Sequence, residues 1–297
     1  MFSSLTNFIN NFQADPVGQL ITLAYLAVVI LFSLILHECA HGYVALKCGD
    51  PTAKMMGRLT LDPRKHLDPI GTICMIFLRF GWAKPVPVNP RNFRNYRRDY
   101  ILVSLAGIIT NLLVCMLSLF ISAILAKAIW CSEFLAYLSD SGEKAVLINI
   151  YQDTNVYLKD MTPYYTDFNR MLELYKSFEG YGGFNYSSAA IYSGYFDYFS
   201  VLANGTALMY VQRLFLMLAQ MNLALAVFNL LPVPPLDGFR FVDQFVFKGQ
   251  LQMTPQTMQY IHIGFLIICM SGMLSGLLTT VNSAVFGWLS QLFALLI

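Results

Sequence analysis

Residues 17–46 read VGQLITLAYLAVVILFSLILHECAHGYVAL, and no charged side chain or histidine occurs in this run before His37. About 20 predominantly apolar residues suffice for a helix to cross the hydrocarbon core of a bilayer. The stretch therefore predicts a membrane-spanning helix that ends in polar chemistry. Ionisable side chains cost roughly 2.5 to 3.5 kcal/mol each at the centre of such a helix. His37, Glu38 and His41 fall within five residues, so their presence needs a compensating purpose.

The pattern His37-Glu38-Cys39-Ala40-His41 supplies one. Positions i and i+4 share a helix face, so both imidazoles can address one metal ion, and Glu38 sits beside them as a base able to take a proton from an attacking water. The bland alternative is a set of interfacial residues satisfied by headgroups or water, which the helical setting of the pattern outweighs. A catalytic zinc uses three protein ligands and keeps one position open. His66 and His262 are the other histidines, so a carboxylate is the expected third ligand. Residues 229–238, NLLPVPPLDG, offer Asp237. Their prolines stop a helix, and irregular backbone near membrane depth survives only inside protein or beside a water-filled cavity. Gly238 permits a tight turn next to the carboxylate. His66, between Lys65 and Asp68, reads as a solvated or turn-stabilising residue, and His262 has no assigned role.

Composition agrees with a membrane setting. Hydrophobic residues make up 57% of the 297 and charged residues 12%, with mean hydropathy +0.55, which excludes an ordinary soluble domain. A net charge of +2 is too small for a nucleic-acid footprint. The six cysteines contain no CxxC pair, which argues against a disulfide framework. Further spans are expected near 101–128 and 211–231. Residues 258–297 are again apolar, and their Ser-Gly pairs and TTVNS suggest one full span followed by a shorter terminal helix. The fold class is an all-α polytopic membrane protein with four or five transmembrane helices.

From Lys47 to Arg98 there are 11 Lys or Arg against three Asp, so this loop is expected in the cytoplasm and the amino terminus outside. Within it, residues 70–82 are apolar but too short to span, which suits a re-entrant or β element. Pro85, Val86, Pro87 and Val88 follow, where prolines enforce extended backbone. Three regions result. Residues 1–128 hold two spans, the first motif and the basic loop. Residues 129–210 form an extracytoplasmic insert, acidic on balance and carrying most of the 17 tyrosines. Residues 211–297 hold the second motif and the C-terminal helices.

With both motifs in hand, the chain resembles the site-2 protease family of intramembrane zinc metalloproteases, in its compact subgroup without cytoplasmic regulatory domains. HECAH, NLLPVPPLDG, the stretch GRLTLDPRKHLDPIGT and GWAKPVPVNP carry the likeness. The resemblance implies that His37, His41 and Asp237 bind Zn2+, that Glu38 is the catalytic base, and that the proline-rich segment docks substrate. The family's small-residue motif appears as Ser104-Leu-Ala-Gly107-Ile-Ile-Thr-Asn111, with Ile108 where proline is usual.

Asn111 and Asn229 are candidates to hydrogen-bond the substrate carbonyl or its oxyanion, although either could simply bond across helices. A transmembrane protein or peptide is the expected substrate. It must unwind before attack, because a helix hides its carbonyls in hydrogen bonds. Residues 85–88 could then hold it by strand addition. Membrane lipid is the surrounding partner and nucleic acid is not one. The expected location is a bacterial inner membrane, with the site toward the cytoplasm. The rival classes are a metal-binding transporter, disfavoured by spans poor in polar residues, and an inactive helix-binding scaffold, which has no use for Glu38.

Overall fold

The computed structural model describes residue 12 and residues 16–68, 84–129, 207–251, 254–271 and 273–297. The described residues form seven helices: α1 (Pro16–Cys48), α2 (Thr52–Met55), α3 (Tyr96–Ile129), α4 (Ala207–Asn229), α5 (Asp237–Phe245), α6 (Pro255–Ser271) and α7 (Met273–Ala294). No strand occurs among them. Three stretches, Leu23–Cys48, Tyr96–Ile129 and Tyr210–Asn229, are long and apolar enough to cross a membrane. They match the three spans read from the sequence. The short apolar element at 70–82 and nearly all of the 129–210 insert lie outside the described residues.

The C-terminal region departs from expectation in one respect. Helix α6 ends at Ser271 and α7 begins at Met273, but Ser275-Gly276 and residues 279–283 run through α7 without interruption, so the longer of the two is the terminal one. Single Ser, Thr and Gly residues are weak breakers, each costing about 1 kcal/mol or less against the helical ladder. Thr280 illustrates this: its hydroxyl donates back to the Gly276 carbonyl at 2.9 Å and needs no other partner.

Helix α3 is inverted relative to a helix of a soluble protein. Ile109, Leu112, Leu113, Met116, Leu117, Phe120 and Ile124 are exposed, at helical spacing, while Ser104, Asn111, Cys115, Ser118 and Ser122 are buried. Large apolar residues dominate the exposed face, while small and polar ones share the buried face with Val103, Ile108, Leu119 and Ile129, a pattern suited to the close packing and hydrogen bonding that hold membrane helices together. On α1 the buried residues Val29, Ser33, His37, His41 and Ala45 recur every fourth position. Ser33 Oγ donates to the Val29 carbonyl at 2.7 Å and accepts from Asn222 Nδ2 of α4 at 2.8 Å. The face that carries the histidines is thus tied to α4 one turn earlier.

The described residues divide into two compact units, one drawn from Leu23–Cys115 and Gln220–Phe286 and the other from Met116–Ala219 and Gly287–Ile297, with part of the α1 amino-terminal end. The first unit contains every motif residue named above.

Candidate metal centre

Two elements deliver the three candidate ligands. His37 and His41 project from one face of α1. Asp237 opens α5, directly after the proline break that ends α4 at Asn229. His37 Nε2 lies 3.1 Å from Asp237 Oδ2 and 3.1 Å from His41 Nε2, and His41 Nε2 lies 3.0 Å from the same carboxylate oxygen. All three side chains are buried. Ligand atoms held tetrahedrally at zinc distances of about 2.0 to 2.1 Å stand about 3.3 Å apart, so the set needs only a few tenths of an ångström of adjustment to enclose an ion.

The chemistry of the donors agrees. His41 Nδ1 donates to the Val103 carbonyl at 2.7 Å, and because a carbonyl oxygen only accepts, the proton of the neutral ring is on Nδ1. Nε2 then carries a lone pair aimed at a carboxylate oxygen, and a cation held between them relieves the repulsion. Such an oxygen acceptor behind a ligating histidine is the usual arrangement in metal sites.

Glycine permits two close approaches. A Cβ at Gly107 of α3 would stand 2.6 Å from both His37 Nε2 and His41 Nε2 and would strike His37 Cε1 harder still. Only a bare backbone lets α3 lie against the imidazoles. Gly238 serves a similar need, since a Cβ there would collide with the carbonyl groups of Leu230 and Leu231. The turn expected at Gly238 needs no left-handed backbone, as positive φ occurs at Gly49, Gly57 and Gly249 instead. Close contact with the end of α4 is what excludes a side chain. Helix α3 continues through Ile108 without interruption.

Beside the ligands lies a cavity of about 500 Å³ lined by the three ligands together with Glu38, Pro85, Val86, Val88, Asn229, Tyr100 and Arg240, among others. The segment from Lys84 to Asn89 forms one wall and is anchored along its length. The Lys84 N–H donates to the His66 carbonyl at 2.8 Å. Buried Arg58 donates from Nη2 to the carbonyls of Lys84 and Pro85, at 2.8 and 3.1 Å. The Val86 N–H donates to Glu38 Oε2 at 2.7 Å, and the Asn89 N–H to Asp50 Oδ2 at 2.7 Å. Among the described residues the Val88 N–H and the Val86 carbonyl have no partner, and Val86 and Val88 both line the cavity.

Of the residues singled out from sequence, His37, Glu38, His41, Pro85, Val86, Val88, Asn229 and Asp237 share this cavity, while Pro87 does not line it. Asn229 Nδ2 donates back to Leu225 O at 3.0 Å. Asn111 is fully buried and does not line the cavity; its carboxamide meets His37 Nδ1 at 3.1 Å. His66 is a loop-stabilising residue, buried with Nε2 donating to the Thr60 carbonyl at 2.7 Å. Sequence reasoning missed Arg58, Asp50 and Arg240. Arg240 stands three residues beyond Asp237 on α5, its Nη1 3.8 Å from Oδ1, and an acid followed at i+3 by a base was the available signal.

Comparison with known proteins agrees with this geometry. The sequence profile of peptidase family M50 matches residues 25–271. The chain belongs to peptidase family M50. This M50 chain is 32% identical over 244 residues to "Putative zinc metalloprotease YwhC" of Bacillus subtilis, covering 82% of the chain and 79% of that relative. It is 36% identical over 119 residues to "Putative zinc metalloprotease Rip2" of Mycobacterium tuberculosis, covering 36% of the chain and 45% of that relative. No solved structure matches. The M50 match spans both HECAH and NLLPVPPLDG, so the resemblance to site-2 proteases is borne out. The M50 chain is a zinc metalloprotease and an integral membrane protein, and its His37, His41 and Asp237 can hold the metal.

Proposed function

We propose that the chain hydrolyses peptide bonds in or next to transmembrane segments of membrane proteins, at a site toward the cytoplasmic face. One observation carries this reading. Three ligand atoms from α1 and α5 converge within 3.0 to 3.1 Å beside a substrate-sized cavity that also receives Glu38. Zinc, when bound, lowers the pKa of water and polarises a carbonyl. Glu38 takes the proton from the attacking water and later returns it to the leaving amine. His37, His41 and Asp237 hold the metal, and Asn229 on the cavity wall contacts the substrate backbone.

The substrate must arrive unwound. Among the described residues the Val86 carbonyl and Val88 N–H have no partner, and as groups of alternate residues in an extended segment they face the same side and can pair with an added strand. Glu38 is bonded to that same segment, which brings the base to the docked peptide. Main-chain pairing of this kind asks little of sequence, as a protease acting on varied spans requires. A proline placed in the cleavage region of the substrate eases unwinding and is expected to speed hydrolysis.

The basic residues between Lys47 and Arg98 support a cytoplasmic position for this side of the protein, and a bacterial inner membrane is the proposed location. The 129–210 insert then lies on the outer face, where its tyrosines suit an interfacial or partner-binding surface. The test is cleavage of a transmembrane peptide by reconstituted protein, with zinc content measured in parallel. Glu38→Gln is expected to keep zinc and lose about 10²- to 10⁴-fold in rate, whereas Asp237→Ala loses both. Zinc flux into liposomes that survives Glu38→Gln would instead mark a transporter.

A further inference from the structure

Asn111 lies one helical turn beyond Gly107 on α3 and is fully buried. Among the described residues its carboxamide makes a single hydrogen bond, with Nδ2 placed 3.1 Å from His37 Nδ1, and its Oδ1 has no partner. A buried polar group is costly unless it is bonded, so the one contact it keeps marks what this side chain is for. That contact falls on the ring nitrogen opposite the one facing Asp237 and His41.

The two atoms of a carboxamide act oppositely, because the NH2 donates and the oxygen accepts, and a half-turn exchanges them within the same volume. Which one meets Nδ1 is set by the ring. With Nδ2 there, Nδ1 must accept, the proton sits on Nε2, and that nitrogen has no lone pair for a metal. With Oδ1 there, Nδ1 donates and Nε2 is free to ligate. His41 already has the second arrangement, because its Nδ1 meets the Val103 carbonyl. The same requirement applies to His37, and Asn111 is the group placed to meet it.

We propose that Asn111 is a positioning residue for the metal, presenting Oδ1 to the His37 Nδ1–H so that the ring is held with its Nε2 lone pair toward the ion. The proposal rests on the metal reading given above and replaces a substrate contact as the role of this asparagine. Carboxyl or carbonyl oxygens behind ligating histidines act in this way, and their loss weakens metal binding about 10- to 100-fold.

The test is the zinc affinity of the full chain in detergent, by chelator competition, with no substrate present. Asn111→Leu keeps the volume and suits a membrane helix but removes the acceptor, and is expected to bind zinc about 10- to 100-fold more weakly. Asn111→Asp restores an acceptor and is expected to remain within about threefold of the original affinity. A merely structural asparagine would give the reverse order, since a buried charge is the harsher change. Asn111→Leu binding zinc like the unaltered chain, or Asn111→Asp binding as weakly as Asn111→Leu, would overturn the proposal. A second measurement needs no variant: nitrogen-15 spectra of the zinc-loaded protein should show His37 Nδ1 protonated, and a bare Nδ1 overturns the assignment. If Asp237→Ala also binds zinc normally, the metal reading itself has failed, which separates the two.

Discussion

The backbone N–H of Val86 donates to Glu38 Oε2 across 2.7 Å. The proposed base beside the candidate ligands and the extended wall of the cavity are therefore one assembly, and Arg58 extends it by gripping the carbonyls of Lys84 and Pro85. A side chain that holds the wall without touching the ligands should affect how well substrate is received more than how fast bound substrate reacts. Arg58→Ala is expected to raise KM about tenfold, the equivalent of about 1.4 kcal/mol, with kcat and zinc content near those of the unaltered protein. A fall in kcat at constant KM would show that the wall acts on chemistry instead.

Gly107 makes a different expectation, because its role is to leave space. A methyl group 2.6 Å from both Nε2 atoms cannot be accommodated without moving α3 or the imidazoles. Overpacking of this kind costs roughly 1 to 3 kcal/mol. Gly107→Ala is therefore expected to weaken zinc binding about 10-fold or more while helix content by circular dichroism stays constant. Unchanged affinity in chelator competition would mean that α3 is free to retreat.

Asp50 anchors the far end of the same wall. Its fully buried carboxylate accepts from the N–H of Asn89, from Asn92 Nδ2, and from both the N–H and the hydroxyl of Thr52. Burial opposes ionisation, but these bonds outweigh it and lower the pKa. A carboxyl whose pKa is lower folded than unfolded contributes stability above the unfolded value of about 3.9 and loses it as pH falls below that. Proteolytic nicking of the 84–92 segment is expected to rise below about pH 4, and Asp50→Asn, at a cost of about 1 to 3 kcal/mol, should flatten that dependence. A variant with the same pH profile as the unaltered chain would remove Asp50 from this role.

The candidate ligand set, whose three side chains the fold brings together, was legible in the sequence because such chemistry is written at fixed local spacing. His37 and His41 must lie one turn apart to share an ion, and Asp237 is announced by the prolines that end α4. The three spans were legible for a similar reason, since apolar length is a local property. Gly107, Arg58 and Asp50 were not, because the need for each comes from what faces it across the fold. A glycine in a membrane helix looks like any small residue until imidazoles stand against it, and a basic loop does not reveal which arginine grips two carbonyls. Asn111 was visible as a polar residue in a span, but its partner was set by how α3 crosses α1. The C-terminal helices were misordered because Ser, Thr and Gly interrupt a hydropathy pattern without interrupting a helix.

X-ray absorption at the zinc edge of the purified protein, with metal counted per chain, addresses the shared ion most directly. Two imidazole nitrogens and carboxylate oxygen at about 2.0 to 2.2 Å, with about one zinc per chain, are expected, and Asp237→Ala should lose the metal. A sulfur neighbour at about 2.3 Å, which would bring in Cys39, or full zinc occupancy in Asp237→Ala would contradict a site built from His37, His41 and Asp237.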